Sequence, residues 1–415
     1  MSYRDFDEFL IRLEQDDHVE SVGDVGGKHA SRRRGRTPVA VYVDQVSGAK
    51  IVQHAFATRR RVAWALQVER ITEVASRLDR MLDLSKPHTF SSLMDRASDI
   101  MSSLRIMPSV RRRTNSDLQS IDVKTVHRVA SVTDEPLVGT VFLERDNRPY
   151  WGVQVVPGNF VDSVLVQSPH RLDVGESVAV TLGGDPGALI AALMPLPSSV
   201  HRSYFTGWLR KRPLETVRLD DPPVDVPVNV DGVLVGTVER VEAASHAFAF
   251  PEKTQYAASV AVRDVRLNPN AVLVSLSERD ATVLSDAMIE ISLPLIRLAV
   301  PEMRAVSVHG GVARIEVDGD ESAALRSAYT FLASPFADNV RWIVTTVSGD
   351  DNSRVLPDAL VLQRKATVAH PEHGRSVTVF VAGKSPAKST NAAAWMPEYE
   401  LAVTAWRDAS DRLEE

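Results

Sequence analysis

Residues 179–210 read AVTLGGDPGALIAALMPLPSSVHRSYFTGWLR. The β-branched residues up to Leu182 complete a strand that begins at Ser177. Gly183 and Gly184 make a glycine-rich turn, and Pro186 stands where a helix accepts proline, at its start. That helix is expected over Pro186 to Met194, and the prolines at 195 and 197 end it.

The surrounding sequence is rich in strands. From about Ser116, short β-branched segments alternate with polar turns: Thr125–Ser131, Leu137–Leu143, Tyr150–Pro157, Ser163–Gln167 and Ser177–Leu182. Thr216–Leu219, Val233–Val241 and Tyr256–Leu267 continue the series, the pattern of a mostly antiparallel sheet or barrel.

On the N-terminal side, Phe6, Phe9, Leu10 and Leu13 predict an amphipathic helix over Tyr3–Val19. An arginine-rich loop follows, then a strand over Val39–Val46, a turn at Gly48 and apolar Ile51 and Val52. Val62–Leu84 reads as one or two helices and Ser92–Leu104 as another. On the C-terminal side a long helix is expected over Ser277–Leu298. Strands at Ala305–Val308, Val312–Val317 and Trp342–Val347 then surround a helix at Glu321–Ser334. This alternation argues for a smaller α/β domain. Pro386–Ala393 reads as mobile, and a terminal helix over Pro397–Leu413 closes the chain.

The 415 residues exceed one ordinary core, so two or three domains are expected. A hydrophobic content of 44% with dispersed charge fits a soluble globular protein, and no apolar run approaches the roughly 20 residues of a membrane span. The N-terminus has no secretory apolar core. The absence of cysteine excludes disulfides, thiolate metal sites and cysteine nucleophiles, and fits the cytoplasm. A net charge of -6 gives no general attraction to nucleic acid. Two arginine clusters, Arg32, Arg33, Arg34 and Arg36, then Arg111, Arg112 and Arg113, either hold an anion or lie in solvated loops.

Several blocks, in order, resemble the UbiD-type prenylated-FMN-dependent decarboxylases. They are YRDFDEFLIRLEQDDHVESV at the start, AWALQ, LGGDPGALIAALMPLP, FTGWLR, DVPVNVDGVLVGTV (Asp225–Val238), ERDATVLSDAMIEISLPLIRLAVPEM and RWIVTTVSGDDNSRVLPDAL. The resemblance implies an N-terminal α/β region over residues 1–115 and a central split β-barrel, flavin-binding-like domain over 116–276. A connecting helix over 277–300 and a C-terminal α/β oligomerisation domain over 301–415 complete it. It also implies prenylated FMN or FMN as cofactor, a small carboxylic acid as substrate, and a homodimer or larger homo-oligomer.

The family holds a divalent metal, manganese, with an Asn, a His and a Glu. Asn147 and His170 match the first two, but the Glu position falls at Arg202. A guanidinium stays protonated and offers a metal no lone pair. It either grips phosphate directly through charge-assisted hydrogen bonds or pairs with a nearby carboxylate. Met194 and Pro195 belong to the implied cofactor contacts.

The family's catalytic Arg falls on Trp151 or Gly152, and its first catalytic Glu near Ala247 or His246, while Glu252 keeps the place of the second. His246, Glu252 and Lys253 form the candidate acid–base set, with Glu252 as proton donor; each also reads as an ordinary loop residue. Losing a placed acid or base costs roughly 10²–10⁴-fold in rate.

Asp350 and Asp351 follow an apolar strand and read as a ligand site or a solvated turn. Tyr204, Phe205 and Trp208 flank a flat ring or pack a barrel against its helix. Met94, Met101 and Met107 read as core filling. Zinc-hydrolase, α/β-hydrolase and P-loop motifs are absent. Three functions follow: a divergent carboxy-lyase on an unsaturated, aromatic or heteroaromatic acid, a non-catalytic subunit beside an active homologue, or a flavin-pocket enzyme with another reaction.

Overall fold

Phe6, Phe9, Leu10 and Leu13 recur at helical spacing and line the buried face of α1 (Phe6–Gln15). The rings of Phe6 and Phe9 meet Phe56 at centroid distances of 6.0 and 6.1 Å. The computed structural model describes residues 3–15, 19–24, 39–43, 48–82, 109–110, 118–131, 135–143, 150–158, 162–168, 170–194, 196, 202–243, 256–309, 311–334, 337, 340–347, 356, 362–369, 376–382 and 392–414. The chain divides into two compact units, one of residues 1–69, 85–250 and 254–281, the other of 70–84, 251–253 and 282–415.

In the first unit, β1 (Val19–Asp24), β2 (Val39–Val43) and β3 (Lys50–Gln53) form a mixed sheet, completed beside β3 by the distant strand β14 (Val272–Val274). Helix α2 (Arg59–Ala65) follows β3. A small sheet joins β4 (Ser109–Val110), β10 (Glu215–Arg218) and β11 (Asp225–Pro227).

The centre is a closed antiparallel barrel. Its six strands are β6 (Leu137–Leu143), β7 (Tyr150–Pro157), β8 (Ser163–Ser168), β9 (Ser177–Leu182), β12 (Gly232–Ala243) and β13 (Tyr256–Leu267). They run in the order β12-β9-β6-β7-β8-β13, and β12 pairs with β13 to close the ring. The short β5 (Gln119–Ser120) joins the far end of β13. Trp151, Val153, Val155, Val164, Val166 and Val180 belong to one continuous core cluster. Full burial of such side chains is worth about 1.5–3 kcal/mol each, so this packed lining dominates the barrel's stability. A second cluster, with Phe142, Ala179, Ala192 and Val233, brings α5 (Pro186–Leu193) onto the outside of the barrel. Both faces of β6 are therefore covered, and all seven of its residues are buried.

The second unit contains α3 (Ile71–Leu82) and a five-stranded sheet. The strands are β15 (Met303–His309), β16 (Val312–Val317), β17 (Trp342–Val347), β18 (Leu362–Ala369) and β19 (Ser376–Ala382), in the order β15-β16-β17-β19-β18. The inner pairs are parallel, and α8 (Glu321–Leu332), capped by the Asp320 carboxylate on the Ala323 N–H at 2.9 Å, links β16 to β17. The long helix α7 (Glu278–Ala299) begins in the segment of the first unit and continues in that of the second.

Several expectations are corrected. Thr125–Ser131 is not a strand: Val123–Ala130 forms helix α4, started by Asp122, whose side chain accepts the Lys124 N–H at 2.9 Å. Val126 and Val129 recur at helical spacing and bury fully, so packing overrides their β-branched preference. The first helix is shorter than Tyr3–Val19, because Val19 already belongs to β1. The terminal helix, α9 (Ala392–Glu414), starts before Pro397 rather than at it. Its apolar stripe of Trp395, Tyr399, Ala402 and Trp406 begins a turn earlier, which offsets the backbone bond proline cannot make. Between these elements, α6 (Arg202–Arg210) is a helix where only a motif had been noted. The Ser92–Leu104 helix and most of the Pro386–Ala393 segment lie outside the described residues.

Candidate cofactor site

The glycine turn joins the barrel to its outer helix pair. Gly183 and Gly184 have φ of +64° and +93°, a region that side chains disfavour. A Cβ at 183 would stand 2.4 Å from Asp231 Oδ2 and 2.5 Å from the Val272 carbonyl. Asp231 accepts the Gly184 N–H at 2.8 Å, and its burial pushes its carboxyl up to about 6 despite that bond and one from the Val272 N–H.

Asp185 comes next and caps α5, accepting the Ala188 N–H at 3.0 Å. Its other oxygen meets Arg210 Nη2 at 2.7 Å, with the two side chains only 8% and 6% exposed. Burial raises the Asp185 carboxyl above its ordinary value, while Arg210 and the helix N–H groups pull it back. At the opposite end of the pair, Arg202 is buried at the first residue of α6. Its Nη2 donates to the Met194 carbonyl at the C-cap of α5, at 3.3 Å. Two arginines, eight residues apart on one helix, thus hold both ends of another.

Strand β7 lies beneath this pair. A Cβ at Gly152 would be 2.3 Å from Leu193 Cδ2 and 3.3 Å from Leu193 Cα, so α5 seats directly on the glycine. The neighbouring Trp151 belongs to the barrel cluster, on the alternate face of the strand. Its indole N–H donates to Ser168 Oγ at 2.6 Å, which also accepts the His170 N–H at 3.1 Å. The His170 ring meets Trp151 edge to face at 4.9 Å.

Of the expected cofactor residues, Met194 and Arg202 are brought into direct contact. His170 approaches β7 through Trp151, whereas Leu193 and Met194 approach it from the Gly152 side. Neither Trp151 nor Gly152 supplies the cation that the resemblance places at that point. Asn147, Pro195, His246, Glu252 and Lys253 lie outside the described residues, as do Asp350, Asp351 and both arginine clusters. Phe205 and Trp208 pack against each other at 5.5 Å on α6.

The Arg202 guanidinium donates to the Met194 carbonyl. Arg202 cannot ligate a metal, and among the described residues no group of three or more His, Asp or Glu is placed to hold one. Asp231, Asp185 and Arg210 were not singled out from the sequence. The signal for Asp185 was present: an acid immediately before Pro186 at a helix start is a capping pattern.

Comparison with known proteins places the fold among solved structures. Residues 170–267 match the family model of the UbiD 3-octaprenyl-4-hydroxybenzoate carboxy-lyase Rift-related domain. An uncharacterized protein of Archaeoglobus fulgidus is 26% identical over 353 residues, covering 73% of this chain and 70% of its own. The vanillic acid decarboxylase of Sedimentibacter hydroxybenzoicus superposes with a TM-score of 0.69 at 14% identity, over 97% of this chain and 100% of that one. An evolved dimeric form of the UbiD-class enzyme HmfF from Pelotomaculum thermopropionicum, in complex with prFMN, gives 0.66 at 13% identity, over 94% and 98%. The 3,4-dihydroxybenzoic acid decarboxylase of Enterobacter cloacae gives 0.64 at 15%, over 96% and 100%. The chain carries a UbiD-type domain within a UbiD-class fold.

Proposed function

We infer that this protein is a UbiD-like carboxy-lyase that removes the carboxylate of an unsaturated, aromatic or heteroaromatic acid. Prenylated FMN or FMN is its cofactor in the central domain. The observation that carries the reading is the buried Arg202 guanidinium on the Met194 carbonyl, a cation beside the end of the barrel's outer helix. There it can bind the cofactor phosphate directly and replace a bridging metal. Met194 and Pro195 border the cofactor, with Asn147 and His170 as further polar contacts. When bound, the flavin supplies an electron sink for the pair left by the departing carboxylate. Glu252 delivers the proton to the carbon that lost the carboxylate, and His246 and Lys253 return it from solvent. The protein works as a homodimer or larger homo-oligomer.

Gly152 favours a second reading, a non-catalytic subunit paired with an active homologue. Leu193 fills the space above it, so no charged side chain operates from that position. One experiment separates the two: purification from cells that make prenylated flavin, followed by the visible spectrum, phosphate content and carbon dioxide release from a panel of acrylic and aromatic acids. A stoichiometric flavin with turnover supports the lyase. A colourless protein copurifying with a full-length homologue overturns it.

A further inference from the structure

Residues 3–5 lead into α1 and are tied down through their own backbone. The Tyr3 carbonyl accepts from Arg212 Nη2 at 2.9 Å, and the Arg4 carbonyl accepts from Asn229 Nδ2 at 3.2 Å. These donors stand 209 and 225 positions away in sequence. The segment is also shaped from within. The Glu8 N–H donates to Asp5 Oδ1 at 3.0 Å, and the Arg4 N–H donates to Glu8 Oε2 at 2.8 Å, the reciprocal pattern of a helix start. The Tyr3 ring lies 5.4 Å from that of Phe9, on the buried face of α1, and Asp7 pairs with Lys50 of β3 at 2.8 Å. These contacts fix the direction in which residues 3–5 leave the helix.

Both donors reach onward to the start of α5. The Arg212 guanidinium lies 4.0 Å from Asp185 Oδ2, behind the 2.7 Å contact of Arg210, and Asp185 caps α5. Arg212 stands just past α6, where Lys211 turns the chain at φ of +58° and the Arg212 N–H donates to the Gly207 carbonyl at 3.1 Å. Asn229 belongs to the loop between β11 and β12. A Cβ at Gly184 would stand 2.8 Å from the Asn229 carbonyl, and Asp231, two residues on, accepts the Gly184 N–H at 2.8 Å. The N-terminal residues are thus one side chain away from Gly184 and Asp185, the pair that launches α5 toward Met194.

We propose that residues 3–5 act as a strap over the start of the outer helix pair, its docking through Arg212 and Asn229 holding the glycine turn and α5 in place. Its anchors face solvent: the Arg212 side chain is 35% exposed against 6% for Arg210, and the Asn229 bond is exposed. Solvent-exposed hydrogen bonds are where native structures open first. When the strap lifts, Arg212 and Asn229 each lose a partner that fixes their rotamer, and the turn they border gains freedom. The consequence for a bound cofactor rests on the function proposed above; the strap itself does not.

Hydrogen-exchange mass spectrometry on the full-length protein, prepared without flavin, tests the strap. Arg212→Met and Asn229→Ala each remove one donor at a partly or fully exposed position, so the double variant should retain the fold. Its amides in residues 3–10 should exchange about tenfold faster, with those of 183–194 accelerating alongside them. Leu137–Leu143 and Ser163–Ser168 of the barrel should keep their natural rates. Arg4→Ala is the control: the strap is held by the backbone carbonyl at position 4, so residues 183–194 should exchange as in the natural protein. Unchanged rates at 183–194 in the double variant would reduce residues 3–5 to a tail and overturn the proposal. Equal acceleration of the two barrel strands, or the same effect from Arg4→Ala, would overturn it as well.

Discussion

Leu193 stands on Gly152 so closely that a Cβ at position 152 would come within 2.3 Å of Leu193 Cδ2 and 2.8 Å of its Cγ. The helix α5 and the strand β7 are thus mutually dependent: one needs a glycine, the other a side chain to cover it. Gly152→Ala should destabilise the protein by roughly 1–3 kcal/mol through overpacking. Leu193→Ala alone should cost about 2–5 kcal/mol. The double variant should be more stable than the sum of the two predicts, because the second change removes the clash made by the first. Urea unfolding of the four proteins measures the coupling, and strict additivity would mean that the two residues do not share this space.

Arg210 and Asp185 form a buried pair, and removing Arg210 leaves Asp185 with only the more distant Arg212, at 4.0 Å, and its helix N–H groups. Arg210→Met should lower stability by roughly 3–5 kcal/mol, more than an exposed ion pair would. A loss below about 1 kcal/mol in the same unfolding measurement would place the pair in solvent instead.

Asp231 predicts a pH dependence whose sign follows from its burial. Its folded-state value is raised to about 6 from the ordinary 3.8. The folded protein therefore holds a proton that the unfolded chain has released. The stability from Asp231 is complete below the unfolded value and is lost as pH rises through about 6. That difference of about two units is worth on the order of 3 kcal/mol. Asp231→Asn should gain on the natural protein between pH 4 and pH 7. A parallel pair of stability curves would show that Asp231 titrates normally.

Arg202→Ala should release bound flavin together with its phosphate, as read by absorbance and phosphate analysis of the purified protein. The same variant loses the Met194 contact, so its thermal transition is compared with that of Arg202→Gln, which keeps an amide donor to the carbonyl. Retained flavin in both would remove Arg202 from the cofactor site.

Glu252→Gln should leave cofactor binding intact and lower turnover by about 10²–10⁴-fold, the contribution of a placed proton donor. Unchanged turnover would remove Glu252 from that role.

Much of the fold was legible locally. Leu137–Leu143, Tyr150–Pro157, Ser177–Leu182 and Tyr256–Leu267 were readable as strands because β-branched runs between turn residues carry their own signal. That Arg202 can only donate hydrogen bonds was legible, because a guanidinium's donor inventory does not depend on its surroundings; that it buries and turns to Met194 was not. Val126 and Val129 misled, since a helical face of valines and a strand of valines differ only in what packs against them.

What composition and order along the chain determine here is the inventory: a strand-rich centre, a glycine turn leading into a helix, and no thiol chemistry. Tertiary structure alone decides that Arg202 turns to the Met194 carbonyl, that Leu193 closes over Gly152, and that His54 meets Ser277 across 223 positions of sequence. Local propensity acts over a few residues, whereas these contacts arise where closing the barrel and packing its helices bring distant segments within bonding distance.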